Sequence, residues 1–160
     1  MVYCRYLLEH VAGPAQALAE MHRVLRRNGK VFIQENNILA NEFYPDCPKF
    51  DAVWRKFAGL QRQLGGDALI GKKLFALLKQ AGFETITLSF APEIHPAGSA
   101  TFLPWVENMI RNVTGAAELL VRHRLAGREE IDAAVAEVRA FEALPDACAY
   151  FYWNRARAVK

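Results

Sequence analysis

Cysteine is scarce in this chain. There are three, Cys4, Cys47 and Cys148, an odd number without metal-ligand spacing. That pattern excludes a disulfide-stapled scaffold and a thiolate metal site, and it suits a reducing cytoplasm. No apolar run reaches the ~20 residues that a bilayer-crossing helix needs, and no leader pattern opens the chain. Internal repeats and low-complexity tracts are absent. Charge excess is also small: 20 Lys and Arg against 17 Asp and Glu give +3. The basic residues are dispersed, so nucleic acid is not an expected partner. Neither a nucleophile–base–acid triad nor a carboxylate pair stands out. What remains is apolar: 52% hydrophobic residues over 160 positions can bury a core and argue against disorder.

The densest signal lies between Val2 and Glu35, VYCRYLLEHVAGPAQALAEMHRVLRRNGKVFIQE. A short apolar strand leads to a proline-started amphipathic helix, with Ala15, Leu18, Ala19, Met21, Val24 and Leu25 close to one face. Arg23, Arg26 and Arg27 suit the negative end of that helix. Asn28-Gly29 stops it, and Lys30–Gln34 is a second strand. Two strands joined by a helix through short turns are expected to run parallel with a right-handed crossover. The working surface of such an α/β sheet lies beyond the carboxyl ends of its strands, here near residues 4–6 and 35–37.

Further along, 38–47 reads as a loop and 50–64 as an amphipathic helix with Val53, Trp54, Phe57 and Leu60 on one side. Gly65-Gly66-Asp67, followed by Gly71, reads as either a turn or a lid hinge. A helix over 72–80 ends at Gly82, and 83–90 alternates as a strand. Helices are expected over 101–113, 116–125 and 128–144, and an aromatic β-rich segment over 147–159 pairs with 83–90. The expectation is one α/β domain spanning 1–160, with about four strands and helical insertions near 38–64 and 97–144.

LLEHV followed by a proline-led helix ending RVLRRNGKVFI resembles the middle of class I S-adenosylmethionine-dependent methyltransferases, and LLKQAGFE followed by a closing strand extends the likeness in order. The resemblance covers most of 1–91 and the tail, and is weak over 97–140. It implies a partial Rossmann-like methyltransferase sheet, S-adenosylmethionine as cofactor and a small organic substrate. The family's Gly-rich turn after an N-terminal strand, and its acidic ribose partner, have no counterpart here; the only Gly-Gly, at 65–66, precedes a helix. The likeness is therefore to the C-terminal part of a methyltransferase: a misassigned start, a truncation or a reduced protein with another role. A non-catalytic interaction module is the alternative function, and cofactor binding by this chain alone is expected to be weak or absent.

The resemblance places Cys4 and Arg5 beside the methionine part of the cofactor, through backbone atoms, and His10 at the rim. Glu35, Asn36 and Asn37, a polar triplet ending the second strand, are candidates for substrate contact, as are the aromatic Tyr44 and Trp54, which could cap a pocket or simply pack. Phe43, Phe57, Trp105 and Met109 share that ambiguity. His95 reads as a solvated loop residue, and His22 and His123 as helix-surface residues. No metal site and no catalytic acid or base is assigned. Methyl transfer from a sulfonium needs mainly alignment and exclusion of water. The first strand, lacking a partner on its outer side, is expected to drive homodimer formation.

Overall fold

The computed structural model describes residues 1–160. Its strands are β1 (Val2–Arg5), β2 (Lys30–Glu35), β3 (Glu42–Tyr44), β4 (Glu84–Pro96) and β5 (Cys148–Val159). Its α-helices are α1 (Pro14–Val24), α2 (Pro48–Gln63), α3 (Leu74–Gln80), α4 (Phe102–Gly115), α5 (Ala117–Arg122) and α6 (Arg128–Glu142). The mixed α/β class read from the sequence is borne out, with five strands rather than about four. The added strand is β3, where the sequence reads as loop. It is three residues long, and its pairing to β5 is a long-range bond that local propensity cannot reveal. No helix is long and apolar enough to cross a membrane.

The chain divides into two compact units: residues 1–38, 64–92 and 152–160, and residues 39–63 and 93–151.

In the first unit β1 and β2 are parallel, with Cys4 opposite Ile33, as the strand–helix–strand pattern predicts. β5 runs antiparallel to β2, with Ile33 opposite Ala156. Alternation sends Cys4, Val31, Ile33, Ala156 and Ala158 to one face, where Leu18, Leu25, Leu74, Leu78 and Phe83 close a core. Pro14 occupies the first turn of α1, where its missing N–H costs nothing. The Lys160 ammonium donates to the carbonyls of Arg23 (3.1 Å) and Leu25 (2.8 Å), satisfying the C-terminal end of α1. Gly82, at φ +87°, ends α3.

The second unit holds both helical insertions. β3 pairs with the start of β5, placing Phe43 opposite Ala149. Phe43 meets Phe50 and Phe141 edge to face, at 5.6 and 5.2 Å between centroids. Around them Val106, Leu120, Ile131, Ala134 and Val138 are buried. The Glu137 carboxylate accepts from the Phe50 N–H (2.9 Å), serving one of the unpaired donors at the start of α2.

Candidate functional site

The carboxyl ends of β1 and β2 meet on Glu35. The chain leaves β1 through Tyr6, whose backbone is left-handed at φ +54°. It then folds into a 3₁₀ turn, Leu8–His10. Glu35 is wholly buried, and its Oε1 accepts from the backbone N–H groups of Leu7 (3.1 Å) and Leu8 (3.0 Å). The Cys4 thiol donates to the same oxygen at 3.6 Å. Burial first, and the neighbouring Glu35 charge second, push that thiol up to about 12. Cys4 is thus a protonated donor at neutral pH rather than a nucleophile.

The next residues continue the polar cluster. The Asn36 side chain hydrogen-bonds Glu9, whose carboxyl is raised above its usual range chiefly by burial, against the pull of His10. The backbone oxygen of Asn36 accepts from Gly71 N–H at 2.8 Å, and Ala68 O accepts from Ile38 N–H at 3.1 Å. Asn154 of β5 lies opposite Glu35. Four buried atoms here have no partner: Glu35 Oε2, Asn36 Oδ1, Asn37 Oδ1 and Asn154 Nδ2. Buried polar atoms are normally paired, so four together mark a place built for something other than folding. Three are acceptors, one of them a carboxylate oxygen, and the fourth is the Asn154 amide donor, a set suited mainly to hydrogen-bond donors and positive charge.

On the opposite face a second polar network spans three strands. The Tyr6 hydroxyl accepts from Arg5 (2.5 Å) and from the Gln34 amide (2.7 Å), while Gln34 Oε1 accepts from Arg155 Nε (2.6 Å). The Tyr6 ring lies 4.3 Å from Trp153.

The structure brings Cys4, Arg5, Glu35, Asn36 and Asn37 to one end of the first unit. His10 is there too, exposed, with Nε2 at 3.5 Å from Glu9 Oε1. Tyr44 and Trp54 belong to the second unit, Tyr44 exposed and Trp54 buried between Phe50 and Phe57. Sequence reasoning passed over Glu9, Gln34 and Asn154, and read Gly71 only as part of a turn or lid hinge. For Gln34 the signal was present, since it is a polar residue closing the apolar run VFI. For Asn154 no local pattern could have found it.

His95 was read as a solvated loop residue; it is instead buried in the second unit, stacked on Trp105 at 4.5 Å and 15°. Neither ring nitrogen has a hydrogen-bond partner, and Glu93 Oε2 lies 3.7 Å from Nε2. Burial lowers its pKa below the usual histidine range, with Glu93 partly opposing. A lowered native pKa means that the unfolded chain binds more protons as pH falls below the ordinary histidine value. The second unit is therefore expected to be fully stable above that value and to weaken on acidification, until the folded-state histidine itself protonates. Denaturant melts at pH 7.5 and pH 5.5 check this: His95→Phe should shrink the difference, and an unchanged pH slope would refute the assignment.

No group of three or more His, Cys, Asp or Glu is arranged to hold a metal ion.

Comparison with known proteins agrees with this geometry at one place. Residues 1–33 match the family model described as Methyltransferase domain. No curated protein matches the chain. Among solved structures, a phosphoethanolamine N-methyltransferase 2 of Haemonchus contortus, in complex with phosphomonomethylethanolamine and S-adenosylhomocysteine, is 17% identical; the match covers 99% of this chain and 33% of that one, with a TM-score of 0.41. A putative methyltransferase of Bacillus halodurans is 16% identical over 99% of this chain and 68% of its own, with a TM-score of 0.48. The [4+2]-cyclase SpnF is 19% identical over 99% and 48%, at 0.41. The chain thus spans between one third and two thirds of the length of these structures. The family match falls on β1, α1 and most of β2, so the methyltransferase resemblance carried by LLEHV and RVLRRNG is borne out over residues 1–33.

Proposed function

We propose that this chain serves in S-adenosylmethionine-dependent methyl transfer to a small organic substrate, in the cytoplasm. The observation that carries the reading is the position of the unpartnered polar cluster. It sits at the carboxyl end of β2, in the strand–helix–strand unit that matches the methyltransferase domain. In α/β sheets that edge is where ligands bind.

The residues present fit the cofactor's chemistry. S-adenosylmethionine carries an ammonium, hydroxyl donors and a sulfonium, and the cluster offers a carboxylate oxygen and two amide oxygens without partners. Backbone atoms of Cys4 and Arg5 would line the cofactor's methionine part, with His10 at the rim. Glu35, Asn36 and Asn37 would orient the substrate. When bound, the cofactor supplies an already activated methyl group. This chain's part is to align the acceptor atom and exclude water.

Among these 160 residues no Gly-rich turn follows an N-terminal strand, so binding by this polypeptide alone is expected to be weaker than micromolar. Calorimetry should show no micromolar event. Amide NMR at millimolar S-adenosylmethionine should shift residues 4–6 and 35–37. The reading fails if those amides stay unmoved while the protein is folded.

Self-association is expected as well. β1 pairs only with β2 and ends the sheet, and its Tyr3 is exposed. An open parallel edge recruits another strand, and a two-fold pairing of β1 with its copy would close it. Light scattering over a dilution series checks this. Mass that halves on dilution is the expected outcome, and a strict monomer at high concentration refutes it.

A further inference from the structure

The sheet of the first unit has a second face, and its side chains differ in kind from the core. Alternation puts Tyr3, Phe32 and Arg157 in one cross-strand row and Arg5, Gln34 and Arg155 in the next. A cleft of about 440 Å³ opens here, with Thr87 and Ser89 on its β4 side. That volume lies within the ordinary range of small-molecule sites. No carboxylate lines it, and neither Arg155 nor Arg157 forms an ion pair with a carboxylate.

Three features act together. Tyr3, 62% exposed, and Phe32 offer an aromatic floor at the end of the cleft nearest β1. Arg157 stands one strand from Phe32, about 4.8 Å away by sheet spacing. Arg155 is held by its Nε–H bond to Gln34 Oε1, which leaves its terminal N–H groups to donate elsewhere. Two guanidiniums without a counter-charge, beside an exposed ring and two hydroxyls, match one ligand chemistry. It is a flat ring bearing a phosphate or carboxylate: the ring lies on Tyr3 and Phe32, and the acid group bridges Arg155 and Arg157.

We propose that this face binds a small aromatic phosphate or carboxylate, at a site separate from the cluster around Glu35. The face does not suit a second copy of itself. Face-to-face packing would gather two sets of Arg155 and Arg157 in one interface, with no carboxylate lining the cleft to offset them.

The test titrates the full 160-residue chain with phenyl phosphate and benzoate, and with phenol and inorganic phosphate as the separate halves. Binding is followed by amide NMR and calorimetry. The intact aromatic anions should bind at least tenfold more tightly than either half, with shifts at Tyr3, Phe32, Ser89 and Arg157. Raising salt from 50 to 300 mM should weaken them. Arg157→Gln and Arg155→Gln should each cost about tenfold in affinity, and Tyr3→Ser should remove the advantage over inorganic phosphate. All three residues are exposed, so these variants keep the core. Binding unchanged in both arginine variants would overturn the proposal. So would no binding at millimolar ligand with Tyr3 and Phe32 shielded by another polypeptide chain.

Discussion

Glu35→Ala is expected to lower the stability of the first unit by about 4 kcal/mol, from the buried Leu8 donor and the part-buried Leu7 donor left unpaired, at ~1–3 kcal/mol for the buried one and less for the other, plus the space vacated. The carboxylate is wholly buried, and one oxygen accepts from two consecutive backbone N–H groups and from the Cys4 thiol. Leu8 is wholly buried at that turn, so its N–H depends on this oxygen. Glu35→Gln separates structure from function. Its amide oxygen can still receive both N–H groups, so most of the stability should remain. The amide nitrogen would stand in place of Oε2, the atom without a partner. A glutamine variant that melts like the parent, yet loses the NMR response to millimolar S-adenosylmethionine, would place Oε2 in ligand binding. An alanine variant as stable as the parent would show that the turn does not depend on this carboxylate.

Gly71→Ala should be nearly as damaging, by about 3 kcal/mol, the upper part of the range for overpacking. A Cβ there would lie 2.7 Å from Asn36 O, 2.7 Å from Asn154 Nδ2 and 2.8 Å from Asn154 Cβ. Truncating the asparagine to alanine removes Nδ2 but keeps its Cβ, and the carbonyl cannot be removed, because it is backbone and already accepts from Gly71 N–H at 2.8 Å. Asn154→Ala should therefore rescue Gly71→Ala only in part. In a double-mutant cycle by urea denaturation the two changes should be non-additive, with a residual loss that reflects the Asn36 carbonyl and the Cβ still present at residue 154. Full rescue would mean that the segment carrying residue 71 can move away, and that the close approach has no structural role.

Both positions show where the sequence stops being readable. The strand–helix–strand unit was legible because its signals are local: apolar alternation, Pro14 at a helix start, and Asn28-Gly29 at the turn into β2, although α1 itself already ends at Val24. Parallel pairing of β1 and β2 followed from the length of the connection. The triplet Glu35, Asn36 and Asn37 could be marked as a polar strand end. Its actual bonding could not, since Glu35 reaches Leu7 and Leu8 across 28 and 27 residues. A solvent-facing glutamate at position 35 would give the same sequence pattern.

His95 shows the same limit from the other side. Two flanking residues, Ile94 and Pro96, say nothing of the ring it stacks on, and Trp105 covers it only because β4 and α4 fold together. Strand β3 exists for a similar reason: three residues have no β-preference strong enough to act alone, and β5 supplies the hydrogen bonds. By itself the sequence determined the elements whose signals lie within one turn or one strand: the α/β class, the helices, and the ends of β1 and β2. Only the tertiary structure decided which oxygen accepts which N–H, which glycine sits against a backbone carbonyl and which sheet face carries Arg155 and Arg157 without a carboxylate partner. Those depend on distances between residues far apart in the chain, which periodicity and local preference do not encode.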